Sequence, residues 1–391
     1  MATVSALSLD NRQGQMDWLL EQICLAGQLT TPMYEDVKAK YKAVGELLAA
    51  PDSGIAVFQP EVFPVGSMSL GTTNRPLKGD EFDLDVVCHL RYGTDPTPME
   101  VYESVYARIY SSGVYRPILE RKARCLRLNY AGNFHLDIVP ACPDVARAGT
   151  ALKVPDQELV CWCPGDPKEY ARRFFEACKR RRQIEAREAL LSKSLEPLPS
   201  NVPSQFKYPL QRIVQLLKRG RDVYYQGDPD APASIVLTTL AAELYQGDQS
   251  IGEGLGVVIG GIAAGIANCQ GILPVWNPTN HEENFTAKWT SDRYEKFKEL
   301  VAFFHRQLDR LARSNGLDGV GEPLSDLYGA NYASKAIRAQ MDEIQAARDQ
   351  RTLRIARGSS ALTTAPAGGV AIARNNFFGG AYEANQGIES S

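Results

Sequence analysis

Strong net charge is absent from this chain: 43 lysines and arginines stand against 46 aspartates and glutamates, leaving −3 over 391 residues. That excludes a global basic field of the kind that holds duplex nucleic acid, while leaving room for a local positive pocket. Long apolar runs are absent too. The longest, Leu255 to Ala267, covers thirteen residues and is interrupted by Gly260, Gly261 and Gly265. It is too short to cross a bilayer and reads as a buried core helix whose glycines permit close packing. No strand precedes it, so these glycines form no dinucleotide fingerprint. Met1 to Asp10 lack a basic start and an apolar run, so no export signal is read there. Metal-ligand spacing is missing as well. Of eight cysteines only Cys161 and Cys163 stand close, with no second pair and no histidine cluster. Cys142 and Cys178 lie nearby in sequence, but reduced thiols are the expectation, and a cytoplasmic location with them. What remains, 44% hydrophobic and 23% charged residues, describes a chain able to bury a large core in two lobes.

Chemistry gathers in residues 65–87, where Gly66-Ser67 is followed, after fifteen residues, by Asp83-Leu84-Asp85. In a strand, alternate side chains share a face. Phe82, Leu84 and Val86 then form one face of Phe82–Val87, and Asp83 and Asp85 the other. Two carboxylates roughly 6.5–7 Å apart on one face repel unless a cation lies between them. Mg²⁺ takes carboxylate oxygen, phosphate and water, and two such ions can flank a phosphoryl transfer. A solvated strand face is the plainer reading, and the apolar neighbours weaken it.

Asn133–Pro140 repeats the pattern, with Phe134, Leu136 and Ile138 on one face and His135, Asp137 and Val139 on the other. The preceding run Cys125–Tyr130 and the Ala131-Gly132 turn predict a hairpin. Paired beside the first strand, the second brings Asp137 to the doublet as a third acid. A strand expected over Ile55–Phe63 leads into Gly66, which lets the backbone turn and approach a ligand. Ser67 offers a hydroxyl and an N–H to phosphate oxygens, and a short helix beginning in Met68–Gly71 would add its dipole.

Gly66-Ser67, Asp83-Leu84-Asp85 and Asp137 together resemble the pattern of the polymerase-β-like nucleotidyltransferases. Segments 165–171, 216–222, 232–242 and 277–289 extend the resemblance to the bacterial cGAS/DncV-like nucleotidyltransferases (CD-NTases), over roughly residues 55–310. The resemblance implies an α+β, bilobal fold: a mixed-sheet catalytic lobe, a helical C-terminal lobe and a long N-terminal spine helix. It also implies that Lys218 reaches a bound triphosphate and that Ser234 helps hold it. Taken without it, Lys218 is a charge at the edge of an apolar face (Leu210, Ile213, Val214, Leu217), and Ser234 is an N-cap.

Helix signals mark the rest. Thr31-Pro32 opens a helix with Tyr34, Val37, Tyr41, Val44, Leu47 and Leu48 in register, taken as the spine. Thr97-Pro98-Met99-Glu100 is a capping box opening a helix to about Ser111. Asp166-Pro167 opens another towards Ser192, and Leu195–Ser204 is a linker. Helices are expected over 207–225, 232–246, 252–268, 291–314 and 324–356. The resulting domains are a catalytic lobe over 1–195, a helical lobe over 205–357 and a flexible tail over 358–391. The basic run Lys179–Arg182 reads as a solvated turn, with a salt-sensitive RNA contact as the alternative. His281 and Asn284 lie in a loop that could close over a base. In the tail, Asn375–Gly380 is an apolar island suited to docking or conjugation to a protein partner.

Three functions follow. The first, which the resemblance implies, is a Mg²⁺-dependent (alternatively Mn²⁺-dependent) enzyme joining NTPs into a cyclic di- or trinucleotide. That product would be a second messenger for an effector in antiphage, CBASS-type defence. Its substrates would be ATP, GTP or pyrimidine NTPs, with no membrane and no obligate duplex nucleic acid. In it Asp83, Asp85 and Asp137 hold metal, and Gly66, Ser67, Lys218 and Ser234 hold nucleotide. The second is a nucleotidyltransferase modifying RNA or a protein hydroxyl. The third is a non-catalytic NTP-binding regulator, which would have no need of all three acids.

Overall fold

A computed structural model describes residues 12–77, 81–130, 134–147, 149–180, 207–247, 250–314, 316–352, 354–356, 362–363 and 369–371. In chain order the elements are α1 (Arg12–Ala26), α2 (Thr31–Ala49), β1 (Glu61–Pro64), α3 (Gly66–Ser69), β2 (Phe82–His89), α4 (Pro98–Tyr110), β3 (Leu119–Arg121), β4 (Leu126–Tyr130), β5 (Phe134–Pro143), β6 (Leu152–Asp156), β7 (Cys161–Gly165) and α5 (Pro167–Cys178). Then come α6 (Pro209–Tyr225), α7 (Ser234–Leu244), α8 (Ile251–Asn268), β8 (Trp276–Asn277), β9 (Asn280–Asn284), α9 (Ser291–Arg313), α10 (Gly316–Tyr328), α11 (Ala330–Asp349), β10 (Arg354–Ala356), β11 (Leu362–Thr363) and β12 (Gly369–Ala371). The chain divides into two units, Met16–Ile337 and a smaller one joining Met1–Gln15 to Arg338–Ser391. The smaller unit contains the small antiparallel sheet β11-β10-β12.

In the larger unit the main sheet has the order β1-β2-β5-β4-β3, with β6 and β7 continuing from β5. β2 and β5 are parallel and their other neighbours antiparallel, so the sheet is mixed. The alternation expected of β2 and β5 is realised. Leu84, Val86, Leu136 and Ile138 are fully buried beneath Val37, Tyr41, Val44 and Leu48 of α2 and Tyr102, Val105 and Ile109 of α4. The α4 capping box closes as its sequence predicts: Thr97 Oγ1 accepts from Glu100 N, and Glu100 Oε2 accepts from Thr97 N. A second core is helical, built from α1, α5, α6–α10 and the first turns of α11.

Several elements depart from their sequence reading. The spine is α2, opened at Thr31 as expected, with its buried residues in the sheet core; α1, which precedes it and was not expected, places its own in the helical core. The strand expected from Ile55 begins only at Glu61. Ala56–Phe58 form a 3₁₀ turn, Gln59 is left-handed at φ 49°, and Pro60 has no N–H for a ladder. α5 stops at Cys178 with Lys179 as its cap; Arg181, Arg182 and the 195–204 linker lie outside the described residues. The last expected helix is split at Gly329, which has φ 89°, and gives way to β10. β11 and β12 fall inside the supposed tail, while Asn375–Gly380 lies outside the described residues. α8 has 18 residues and, by length and composition, could cross a membrane. Ile251, Leu255, Val258, Ile259 and Ile262 instead bury one side of it in the helical core. Of its three interrupting glycines, Gly261 packs tightly against Leu244 and Gly265 touches Leu273, whereas Gly260 faces open space.

Because Leu84 has no exposed surface, Leu84→Ala leaves a cavity directly beneath the acid doublet. Urea denaturation should show a loss of about 2–5 kcal/mol. A loss below about 1 kcal/mol would contradict the assignment of this face to the core.

Candidate active site

Strand register builds the site. Asp85 lies opposite Asp137 and Asp83 opposite His135 across the parallel β2–β5 pair, so all three acids share the sheet face turned from α2 and α4. On β2's other side, Val65 N donates to Asp85 O at 2.9 Å, which delivers the chain into the Gly66-Ser67 turn beside that carboxylate. Gly66 has φ 61°, and a Cβ there would clash with Asp85 Oδ2. Only glycine fits both the backbone angle and the space. The short helix begins at Gly66 itself, two residues before the sequence suggested. Ser67 Oγ and Thr73 Oγ1 share a hydrogen bond of 3.1 Å.

A cavity of about 460 Å³ opens over this turn, lined by Gly66, Ser67, Asp83 and Asp85 on one side and Lys218 and Ser234 on the other. Six of the seven expected site residues therefore face one space. The seventh, Asp137, is buried behind it and reaches Asp83 through Arg127. The Arg127 guanidinium donates from Nε to Asp137 Oδ1 and from Nη2 to Asp137 Oδ2, both at 2.7 Å, and from Nη2 to Asp83 Oδ1 at 3.2 Å. Burial, with Asp83 and Asp137 adding to it, pushes the Asp85 carboxyl up to about 7. Burial also raises Asp83, against the pull of Arg127.

α6 forms the opposite wall by a device the sequence did not reveal. Residues 70–77 form no helix or strand, so their carbonyls lack ladder partners. α6 supplies them from one stripe of side chains. Gln211 Nε2 donates to Leu70 O at 2.7 Å, Gln215 Nε2 to Thr73 O at 2.8 Å and Lys218 Nζ to Thr72 O at 3.2 Å, while Arg219 Nη2 bonds Arg75 O. Asn74 Nδ2 returns a bond to Gln215 O at 2.8 Å. Lys218 is thus both wall and clasp. Burial, with Arg221 as second cause, lowers its ammonium to about 8.

Ser234 is the first residue of α7 rather than its N-cap, which is Ala233; its Oγ accepts from Arg221 Nη1 at 3.0 Å. Arg221, Asp222 and Thr238 also line the cavity and were missed. Their spacing from Lys218 and Ser234 by three or four residues was the available signal. The 277–284 loop is the β8–β9 hairpin. Asn284 Oδ1 accepts from Val275 N and Thr286 N, so this side chain holds its own hairpin, and neither it nor His281 lines the cavity.

Three carboxylates are the donor set a hard divalent cation takes. Among the described residues no group of three His, Cys, Asp or Glu side chains is already gathered as a cage. The set fits in kind, with Arg127 lying between two of its members.

A family model described as "Second Messenger Oligonucleotide or Dinucleotide Synthetase domain" matches residues 22–177. The chain is 31% identical over 346 residues to a c-di-GMP synthase of Roseivirga ehrenbergii, covering 86% of this chain and 90% of that protein. The chain belongs to the bacterial CD-NTases. It is 26% identical over 325 residues to the cyclic dinucleotide synthase CdnG of Bradyrhizobium diazoefficiens, covering 78% of this chain and 75% of that one. A solved structure of a B. diazoefficiens CdnG in complex with GTP shares the fold, with a TM-score of 0.67 at 22% identity, covering 83% and 98% of the two chains. This CD-NTase is therefore a nucleotidyltransferase of the cyclic-oligonucleotide synthase kind.

Two outcomes follow for this CD-NTase. Gly66→Ala should fold yet lose at least ~100-fold in rate, because the added methyl displaces Asp85 from its place; circular dichroism with a rate assay checks both halves. The second concerns pH. An acid whose folded value lies near 7 rather than 3.8 binds its proton more tightly in the folded state, so stability falls as pH rises between those values. Asp85→Asn should therefore stabilise the metal-free protein above pH 7, by up to about 4 kcal/mol, with no gain below about pH 4. Melting curves in EDTA at pH 5 and pH 8 should show the larger gain at pH 8.

Proposed function

We propose that this enzyme joins nucleoside triphosphates, GTP among them, into a cyclic dinucleotide in a reaction dependent on Mg²⁺, with Mn²⁺ as a substitute. The observation carrying the reading is the register of Asp83, Asp85 and Asp137 on one sheet face beside the Gly66-Ser67 turn. The choice of a guanine substrate and a two-nucleotide ring is supported by the relatives named c-di-GMP synthase and cyclic dinucleotide synthase. On this reading Asp83, Asp85 and Asp137 hold the metal, which when bound neutralises phosphate charge and favours ionisation of the attacking hydroxyl. The chain's own groups do the positioning. Ser67 and the N–H groups of its turn face the phosphates. Lys218 and Arg221 supply positive charge from the α6 wall, and a bound triphosphate would restore the full charge of Lys218. Asp137 takes the proton of the acceptor's ribose hydroxyl as it attacks the α-phosphorus and pyrophosphate leaves. Much of the rate enhancement then comes from alignment and charge neutralisation. A second turnover in the same cavity closes the ring. The product would act as a messenger on an effector protein in antiphage defence, within the cytoplasm.

Incubation with NTPs and Mg²⁺, followed by phosphatase and mass spectrometry, should reveal a phosphatase-resistant cyclic product. The double variant Asp83→Ala, Asp85→Ala should make none. Label from α-labelled NTP appearing in RNA or protein, with no small product, would favour macromolecule modification instead. Undiminished synthesis by the double variant would remove the acids from the site.

A further inference from the structure

Arg127 has a role that neither the family resemblance nor the proposed reaction requires. It stands on β4 directly opposite Asp137 on β5, yet its reach extends to Asp83 on β2, one strand further. The two contacts differ in kind. The pair with Asp137 is bidentate at 2.7 Å, and the Asp137 side chain is only 10% exposed. The arm to Asp83 is a single hydrogen bond of 3.2 Å to a side chain 53% exposed. A bidentate, shielded pair is strong, whereas a single solvent-screened one is weak. Asp85 has no ion pair among the described residues, so the guanidinium holds two of the three acids.

We propose that Arg127 is a built-in stand-in for the metal. It neutralises Asp83 and Asp137 while no divalent ion is bound, and releases Asp83 when one arrives, keeping its grip on Asp137. Arginine has donors only and cannot itself ligate a cation. Its Nη2 therefore competes with an incoming metal for the lone pairs of Asp83 Oδ1. The screened arm yields; the bidentate arm stays and fixes the orientation of Asp137. Arg127 is thus a positioning residue that acts through two acids. The inference rests on the reading of Asp83, Asp85 and Asp137 as metal ligands.

The test uses the full chain without nucleotide, with Mn²⁺ as the probe. Isothermal titration calorimetry compares wild type, Arg127→Gln and Arg127→Lys, and each is melted in EDTA and in saturating Mn²⁺. Arg127→Gln should bind Mn²⁺ about three- to tenfold more tightly than wild type, since no resident cation must be displaced. It should melt lower than wild type in EDTA, and the deficit should shrink in Mn²⁺. Arg127→Lys, which retains the charge but not the fork, should lie between the two, and it carries the same comparison if the glutamine variant fails to fold. A purely structural arginine predicts otherwise: equal or weaker Mn²⁺ binding, and a melting deficit that is unchanged or larger in Mn²⁺. Equal or weaker Mn²⁺ binding by the folded variants therefore overturns the inference while leaving the metal reading intact. Failure of wild type to bind Mn²⁺ overturns both.

Discussion

Mutual repulsion among Asp83, Asp85 and Asp137 is the constraint around which the catalytic lobe is arranged. Three carboxylates on one face of a parallel strand pair are unfavourable unless something else fixes the strands. The opposite face does so. Leu84, Val86, Leu136 and Ile138 have no exposed surface, and burying side chains of this size is worth about 1.5–3 kcal/mol each. A one-residue slip would turn these aliphatic groups to the acid side, so the core that stabilises the sheet also enforces its register. Stability on one face thereby sustains a destabilising charge cluster on the other. Burial first, with repulsion from Asp83 and Asp137 added to it, raises the Asp85 carboxyl.

The cluster would be of little use without a wall facing it, and α6 provides one by an uncommon means. Packing of apolar groups holds α6 in the helical core through Leu210, Ile213, Val214 and Leu217. A separate stripe, Gln211, Gln215, Lys218 and Arg219, is buried too, and each member donates to a backbone carbonyl. Its targets are the carbonyls just after the Gly66-Ser67 helix. Losing Gln211, Gln215 or Lys218 would leave a buried carbonyl unsatisfied, a cost of about 1–3 kcal/mol. The turn is therefore held at one end by Asp85 on the sheet and at the other by the helical lobe.

Legibility in the sequence followed the physics. Period-two alternation announced β2 and β5 because each buries one face, and the acids fell on the other face by counting alone. The α4 capping box was equally visible, being a local bond between residues three apart. What escaped was everything decided by a distant partner. The polar stripe of α6 has the pattern of a solvent face, and only the unladdered 72–77 segment lying against it makes it interior. Arg127 alternates like any half-exposed strand residue, and its importance comes from lying opposite Asp137. Asn284 stands in a loop that by sequence could close over a base; its amide oxygen is taken by its own hairpin. Ser234 was read as a cap from residue type, whereas the cap position falls one residue earlier.

These two halves give the cavity an internal polarity. Its sheet side is anionic, with Asp83 and Asp85 and the partly neutralised Asp137 behind them; its helix side carries Lys218 and Arg221. The two sides do not cancel by contact, because Arg221 is paired with Asp222 and Lys218 is spent on the Thr72 carbonyl. A bare triphosphate would suit the helix wall and be repelled by the sheet. A bare cation would suit the sheet and be repelled by the wall. On the proposed reading, a metal–triphosphate complex is the species that satisfies both, placing its cation against the acids and its outer phosphates against α6. On that reading the polarity would favour the metal-bound form of the triphosphate over either component alone.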